Sequence, residues 1–158
     1  MERVPMTPRG YALLVDELRH KREVERPQIV RDIEEARAHG DISENSEYED
    51  AKHRQSLCEG RLRELEGKIA AAEVIDVSRI EPSDRIVFGV TVDLEDVDSG
   101  ESVSYKIVGT DEADVKLGLV SVTSPIGRAL VGRELGDEIQ VKAPGGLRKY
   151  VVSAVRYV

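Results

Sequence analysis

Eight positions, Tyr48, Ala51, Gln55, Cys58, Leu62, Leu65, Ile69 and Ala72, follow one another in alternating steps of three and four residues. That spacing keeps a stripe on one side of an α-helix, and a seam sustained this long has to be covered by a second helix. The segment ahead of it supplies the cover. Thr7 is a suitable N-cap with Pro8 at the first helical position. Tyr11, Leu14 and Leu18 open a stripe that Ile29, Ile33 and Ala36 resume. The middle of this stripe is polar, and Pro27 lies inside it, where a proline removes one backbone hydrogen bond and kinks a helix. Gly40 closes the helix as a left-handed residue just past Ala38 and His39. Only a few residues separate the two helices, so they fold back as an antiparallel hairpin. Some 30 residues at about 1.5 Å each give a rod roughly 45 Å long. Gly60 and Gly67 fall off the seam, each at about 1 kcal/mol relative to Ala.

The second half has another grammar. Residues 1–76 hold 10 Val or Ile and 4 Gly, whereas residues 77–158 hold 21 and 9. The first half therefore reads as helical and the second as strand-rich. Expected strands are Arg85–Leu94, Ser102–Val108, Glu138–Val141 and Lys149–Val155. Asp98-Ser99-Gly100 and Pro144-Gly145-Gly146 break them. A short helix fits Pro125–Val131, with Ser124 as N-cap. The fold class expected is α+β in two domains: a helical hairpin over 1–76, and over 77–158 a small, mostly antiparallel sheet with one helix.

Composition narrows the function. A formal net charge of −8 argues against non-specific binding to free nucleic acid. With one cysteine, Cys58, no intramolecular disulfide forms, and at a seam position it reads as a small core residue. His20, His39 and His53 lack metal-ligand spacing. The start lacks a signal peptide's apolar core, and no apolar run approaches the roughly 20 residues of a membrane span. The cytoplasm is the expected compartment, and no membrane partner is expected. Phosphate-loop, dinucleotide and nucleophile-elbow motifs are missing.

The informative chemistry sits in the turn, Gly40-Asp-Ile-Ser-Glu-Asn-Ser-Glu-Tyr48. Asp41 and Glu44 stand three apart, a spacing that also suits a capping box at a helix start. Yet Asp41, Glu44, Glu47, Glu49 and Asp50 place five acids within ten residues, more than capping requires. Such a cluster repels itself unless a cation or basic partner compensates. Magnesium takes one or two protein carboxylates and keeps other positions for water or phosphate oxygens. Two carboxylates on a bare rod end make half a site, which a second active site holding its own magnesium and a phosphodiester completes as a two-metal centre. Arg37, His39, Lys52 and Arg54 flank the turn. Helix-dipole complementation and solvated faces account for His39 and Arg54. Arg37 and Lys52 are open to that reading or to holding a nucleic-acid phosphate.

The run Glu35-Ala-Arg-Ala-His-Gly-Asp-Ile-Ser-Glu-Asn-Ser-Glu-Tyr48 resembles the tip signature of the bacterial GreA/GreB transcript cleavage factors. Cys58-Glu59-Gly60-Arg61, Val87-Phe88-Gly89, Asp111-Glu112-Ala113-Asp114, Ser124-Pro125-Ile126-Gly127-Arg128-Ala129-Leu130 and Pro144-Gly145-Gly146 extend the likeness nearly end to end. It lies nearer the GreA pattern than the GreB one. The resemblance implies a coiled-coil hairpin and a C-terminal antiparallel sheet with one short helix, related to the FK506-binding fold. It implies RNA polymerase as partner, with the hairpin entering the secondary channel. The tip then stimulates the polymerase's own cleavage of the 3′ end of backtracked nascent RNA. On that likeness Asp41 shares a magnesium ion with the polymerase active site and Glu44 orients the attacking water. The likeness also implies that the chain has no cofactor of its own and is not an enzyme by itself. Arg37 keeps the family's arginine, whereas Lys52 stands where relatives often carry Arg and so loses a bidentate phosphate contact. Ser121, Ser124, Pro125 and Ile126 match the segment around which the family docks on polymerase, although strand-edge and N-cap chemistry explains the same residues.

The alternative is a relative that enters the same channel and inhibits, against which the retained Asp-x-x-Glu speaks. A proline isomerase would need an aromatic-lined site, and this half offers only Phe88, Tyr105, Tyr150 and Tyr157. A purely structural coiled coil explains the seam but not the acidic turn.

Overall fold

The computed structural model describes residues 2–40 and 46–158. The chain forms two compact units: Tyr11–Ala71, and Glu2–Gly10 together with Ala72–Val158.

The first unit is the helical hairpin. α1 runs Pro8–His20, α2 runs Arg26–Ala38 and α3 runs Ser46–Ala71. Thr7 caps α1 as expected, its hydroxyl oxygen accepting from the Gly10 N–H at 3.2 Å. α2 ends at Ala38, and Gly40 follows with φ of +106°, the left-handed conformation a C′ glycine supplies. Between α1 and α2 the chain does not break. Lys21–Glu25 form a π-helical turn in which the Arg26 N–H reaches the carbonyl of Lys21, five residues back. Pro27 then occupies the first turn of α2. A proline there has no N–H for the carbonyl of Glu23, so an irregular turn just before it is the physical answer to the expected kink.

Ile29, Ile33, Ala51, Cys58 and Leu62 make the buried seam, with Leu18 and Tyr48 packed against it. Each fully buried aliphatic side chain contributes about 1.5–3 kcal/mol. Where the seam is polar, ion pairs cross between the helices. Arg61 grips both carboxylate oxygens of Glu17 at 2.6 and 2.8 Å, and Arg26 grips Glu59 at 2.7 and 2.9 Å. Arg22 meets Glu66 at 2.9 Å and Arg54 meets Asp32 at 3.0 Å. Burial pushes the Cys58 thiol above its ordinary pKa, with the Glu25 carboxylate adding to the effect. Among the described residues, no helix is long and apolar enough to cross a membrane.

The second unit holds two sheets. Strands β1 (Val4–Met6) and β2 (Ala72–Val74) pair in parallel. Strands β3 (Thr91–Asp96), β4 (Ser102–Val108), β5 (Leu119–Ser121), β6 (Glu138–Ala143) and β7 (Gly146–Arg156) form a sheet in the order β5-β4-β3-β7-β6. Its pairings are antiparallel except β4 with β5. The central strand β3 buries every second residue, Val92, Leu94 and Asp96, the period of a half-covered strand. The core gathers Ile86, Val90, Val92, Leu94, Ile107, Leu130 and Val152. α4 (Pro125–Leu130) closes it, with Ser124 as N-cap.

The expected strand Arg85–Leu94 is corrected. Regular pairing starts at Thr91, and Arg85 makes only an isolated bridge to Glu134. Gly89 has φ of +93° and the Val90 N–H turns back to the Val87 carbonyl at 3.3 Å. A left-handed residue in a turn ends any extended run. Ile86 and Val90 are nonetheless core residues, with Val87 and Phe88 packed against them, which is why the composition of this turn reads as strand.

Candidate functional site: the closed end of the hairpin

The acidic run of the sequence falls between the last turn of α2 and the first turn of α3. Asp41 and Glu44 lie outside the described residues. What frames them is described. Arg37 is exposed in the last turn of α2, with its guanidinium 5.9 Å from the ring centre of Tyr48 on α3, the upper end of cation–π range. Tyr48 is half-buried against the seam, so the arginine is steadied by a ring that is itself held by core packing. His39 Nδ1 lies 3.3 Å from Glu47 Oε2, with both side chains more than half exposed. A pair that open contributes about 0–1 kcal/mol.

Lys52 is exposed on α3 and donates to Gln55 Oε1 at 3.0 Å. It reaches no carboxylate within ion-pair distance among the described residues, while Arg54 holds Asp32 and Asp50 at once, at 3.0 and 3.1 Å. Hydrogen bonds from Gln28 and then Arg54 hold the Asp32 carboxyl below its ordinary value. Arg54 is thus a tie between the helices, more than the solvated face its sequence suggests. Arg37 and Lys52 are each engaged locally and face outward as exposed cations. Among the described residues no group of three His, Cys, Asp or Glu side chains is placed to hold a metal ion.

The other candidate residues lie at the turn from β5 into α4. Ser121 is buried, and its hydroxyl meets that of Thr123 at 2.7 Å while accepting from the Thr123 N–H at 3.1 Å. Ser124 donates to the Ser121 carbonyl at 2.6 Å and accepts from the Gly127 N–H at 3.1 Å. Both serines are therefore occupied in holding this turn. Pro125 is exposed and Ile126 half-buried. Gly127 is required here: a Cβ would stand 2.1 Å from the Ser121 carbonyl oxygen.

Sequence reasoning missed Glu112. Its carboxylate accepts from the Thr7 N–H at 3.0 Å, from the Thr7 hydroxyl, and from the Gly109 N–H at 2.9 Å. The visible signal is Gly-x-x-Glu at 109–112, in which the Glu112 carboxylate reaches back to the Gly109 N–H as in one half of a capping box; nothing local points to Thr7.

Comparison with known proteins follows this division. A family profile described as "Transcription elongation factor, N-terminal" matches residues 4–74, and one described as "Transcription elongation factor, GreA/GreB, C-term" matches residues 81–157. A transcription elongation factor GreA from Methylococcus capsulatus is 52% identical over 158 residues, with 100% of each chain covered. One from Anaeromyxobacter is 56% identical, covering 100% of this chain and 95% of that one. One from Brucella canis is 56% identical with 100% of each covered. Among solved structures, GreA factor homolog 1 of Thermus thermophilus is similar at 30% identity and a TM-score of 0.44, covering 98% of this chain and 99% of that one.

Proposed function

Because the chain belongs to the GreA/GreB transcription elongation factor family, we propose that it binds RNA polymerase, enters its secondary channel hairpin-first, and stimulates cleavage of the 3′ end of backtracked RNA. What supports this reading most is the order along the chain: Asp41 and Glu44 fall in sequence between the end of α2 at Ala38 and the start of α3 at Ser46. Carboxylates in the link between two helices of a hairpin would suit a pocket belonging to another protein.

In this reading the hydrolytic centre is the polymerase's. Asp41 would supply one carboxylate to a magnesium ion held there, and Glu44 would orient the attacking water toward phosphorus. The magnesium would polarise the phosphoryl oxygens. Arg37 and Lys52, exposed cations on either side of the turn, hold the RNA phosphate. Pro125 and Ile126 supply contact at the polymerase rim, with Ser121 and Ser124 keeping their turn in shape.

The test uses polymerase halted in a backtracked state, with wild-type protein against Asp41→Asn and Glu44→Gln. Positioned acid–base and metal-ligand groups typically contribute about 10² to 10⁴ in rate, so either variant should release RNA fragments at least about a hundredfold more slowly. Equal cleavage by Asp41→Asn would remove that residue from the mechanism. Slowed elongation without fragments, seen already with wild type, would favour the inhibitory alternative.

A further inference from the structure

We propose that the hairpin shaft carries a hinge at mid-length, made of the π turn Lys21–Glu25 on one helix and Gly60 on the other. Leu14 and Leu18 set a heptad frame whose next inward positions are Lys21, Glu25, Gln28, Asp32 and Glu35. The inward residues of α2 are Ile29, Ile33 and Ala36, each one place later. The π turn absorbs that one extra residue and returns the second stripe to the seam. It buries none of its own side chains. Helix one thus has no buried apolar anchor from His20 to Gln28, and Pro27 withholds one backbone donor from the same stretch.

The facing helix is weakened at the same level. Cys58 Sγ lies 4.0 Å from the Lys21 carbonyl, and Glu59 holds Arg26; Gly60 is the next residue. A Cβ on Gly60 would meet nothing within 4 Å, so neither space nor backbone conformation asks for glycine there. Its effect is to soften the helix. Beside this level an open groove is lined by Val24, Pro27, Leu57 and Cys58. Val24 and Leu57 are 53% and 61% exposed. Bending toward the groove would cover both, which gives the motion a direction and an apolar driving force. The ion pairs Arg26–Glu59 and Arg61–Glu17 flank the joint and tolerate small rotations that a packed core would resist. The hinge stands whether or not the tip acids act in RNA cleavage.

Hydrogen exchange on the full chain tests it through coupling between the helices. In the wild type, the amides of Arg26, Gln28 and Ile29 and of Gly60–Arg63 should exchange about tenfold or more faster than those of Ile33–Arg37 in the tip half. Gly60→Ala should slow exchange around residue 60 about fivefold, and should slow Arg26–Ile29 on the opposite helix by a similar factor. Slowing confined to the substituted helix would mean two unconnected soft points and would overturn the hinge. Deleting Val24 removes the extra residue and should yield a folded hairpin with both stretches protected. If that variant loses its helical content, the heptad-frame argument fails and the hinge with it.

Discussion

Glu112 holds Thr7 twice, taking both its backbone N–H and its hydroxyl although the two residues are 105 positions apart in sequence. Thr7 is 4% exposed and caps α1, so one carboxylate from the second half of the chain fixes the start of a helix. Gly10 leaves room for it: a Cβ there would stand 2.1 Å from Glu112 Oε1 and would push the carboxylate aside. Glu112→Ala leaves the Thr7 and Gly109 N–H groups without their acceptor and should destabilise the protein by about 1–3 kcal/mol in urea unfolding. Thr7→Ala should cost about 1–2 kcal/mol. The double variant should cost less than the two added together, since both remove the same contact.

Acid should weaken the sheet through Asp96. Its buried carboxylate accepts from the N–H groups of Asp98 and Ser99, at 2.9 and 3.2 Å. The Ser99 and Asp98 bonds, followed by the Arg148 charge, hold it below the ordinary Asp value of 3.8. A folded-state pKa below the unfolded one adds stability that is full above the unfolded value and lost as pH falls through the folded one. The stability difference between wild type and Asp96→Asn, read as urea midpoints, should therefore be constant above about pH 5 and shrink below about pH 4. A difference that stays flat down to pH 3 would contradict the assignment.

Two glycine-to-alanine changes should move stability in opposite directions. At Gly67 a Cβ meets nothing within 4 Å, so Gly67→Ala should raise stability by roughly 0.5–1 kcal/mol through helix propensity alone. At Gly127 the new Cβ would collide with the Ser121 carbonyl. Gly127→Ala should lower stability by roughly 1–3 kcal/mol, and thermal melts of the pair decide both.

Arg61 should matter more than an ordinary surface arginine. It is two-thirds buried and bidentate to Glu17, and that hydrogen-bonded contact holds the Glu17 carboxyl below its usual range. Arg61→Ala should cost about 1–2 kcal/mol, discounted for the partial exposure of both partners. The loss should shrink at about 1 M salt, where the Debye length falls to about 3 Å.

Much of this was legible in the chain, and particular residues show where legibility stops. Thr7, Gly40 and Ser124 announce helix ends because capping is local chemistry. The α3 seam reads directly, since Ala51, Cys58, Leu62 and Leu65 repeat in phase. The π turn was hidden because Lys21–Glu25 is polar, although the one-place slip from Leu18 to Ile29 records it. β1, β2 and β5 escaped because a three-residue strand has too few positions to display a period of two. The acidic run drew notice as composition, whereas Arg37 over Tyr48 depends on how two helices pair. Glu112 and Thr7 could not be joined from sequence, because no local rule reaches across most of the chain.

The parallel pairing of β1 with β2 has a consequence for engineering. Everything from α1 to α3 is an excursion that leaves one strand and rejoins at its immediate neighbour. Among the described residues, that excursion contributes none to the host sheet. The helical stretch is therefore a cassette: it should accept lengthening or shortening by matched heptads in both helices, and each heptad would move the working end by about 10 Å while the frame that carries it stays the same.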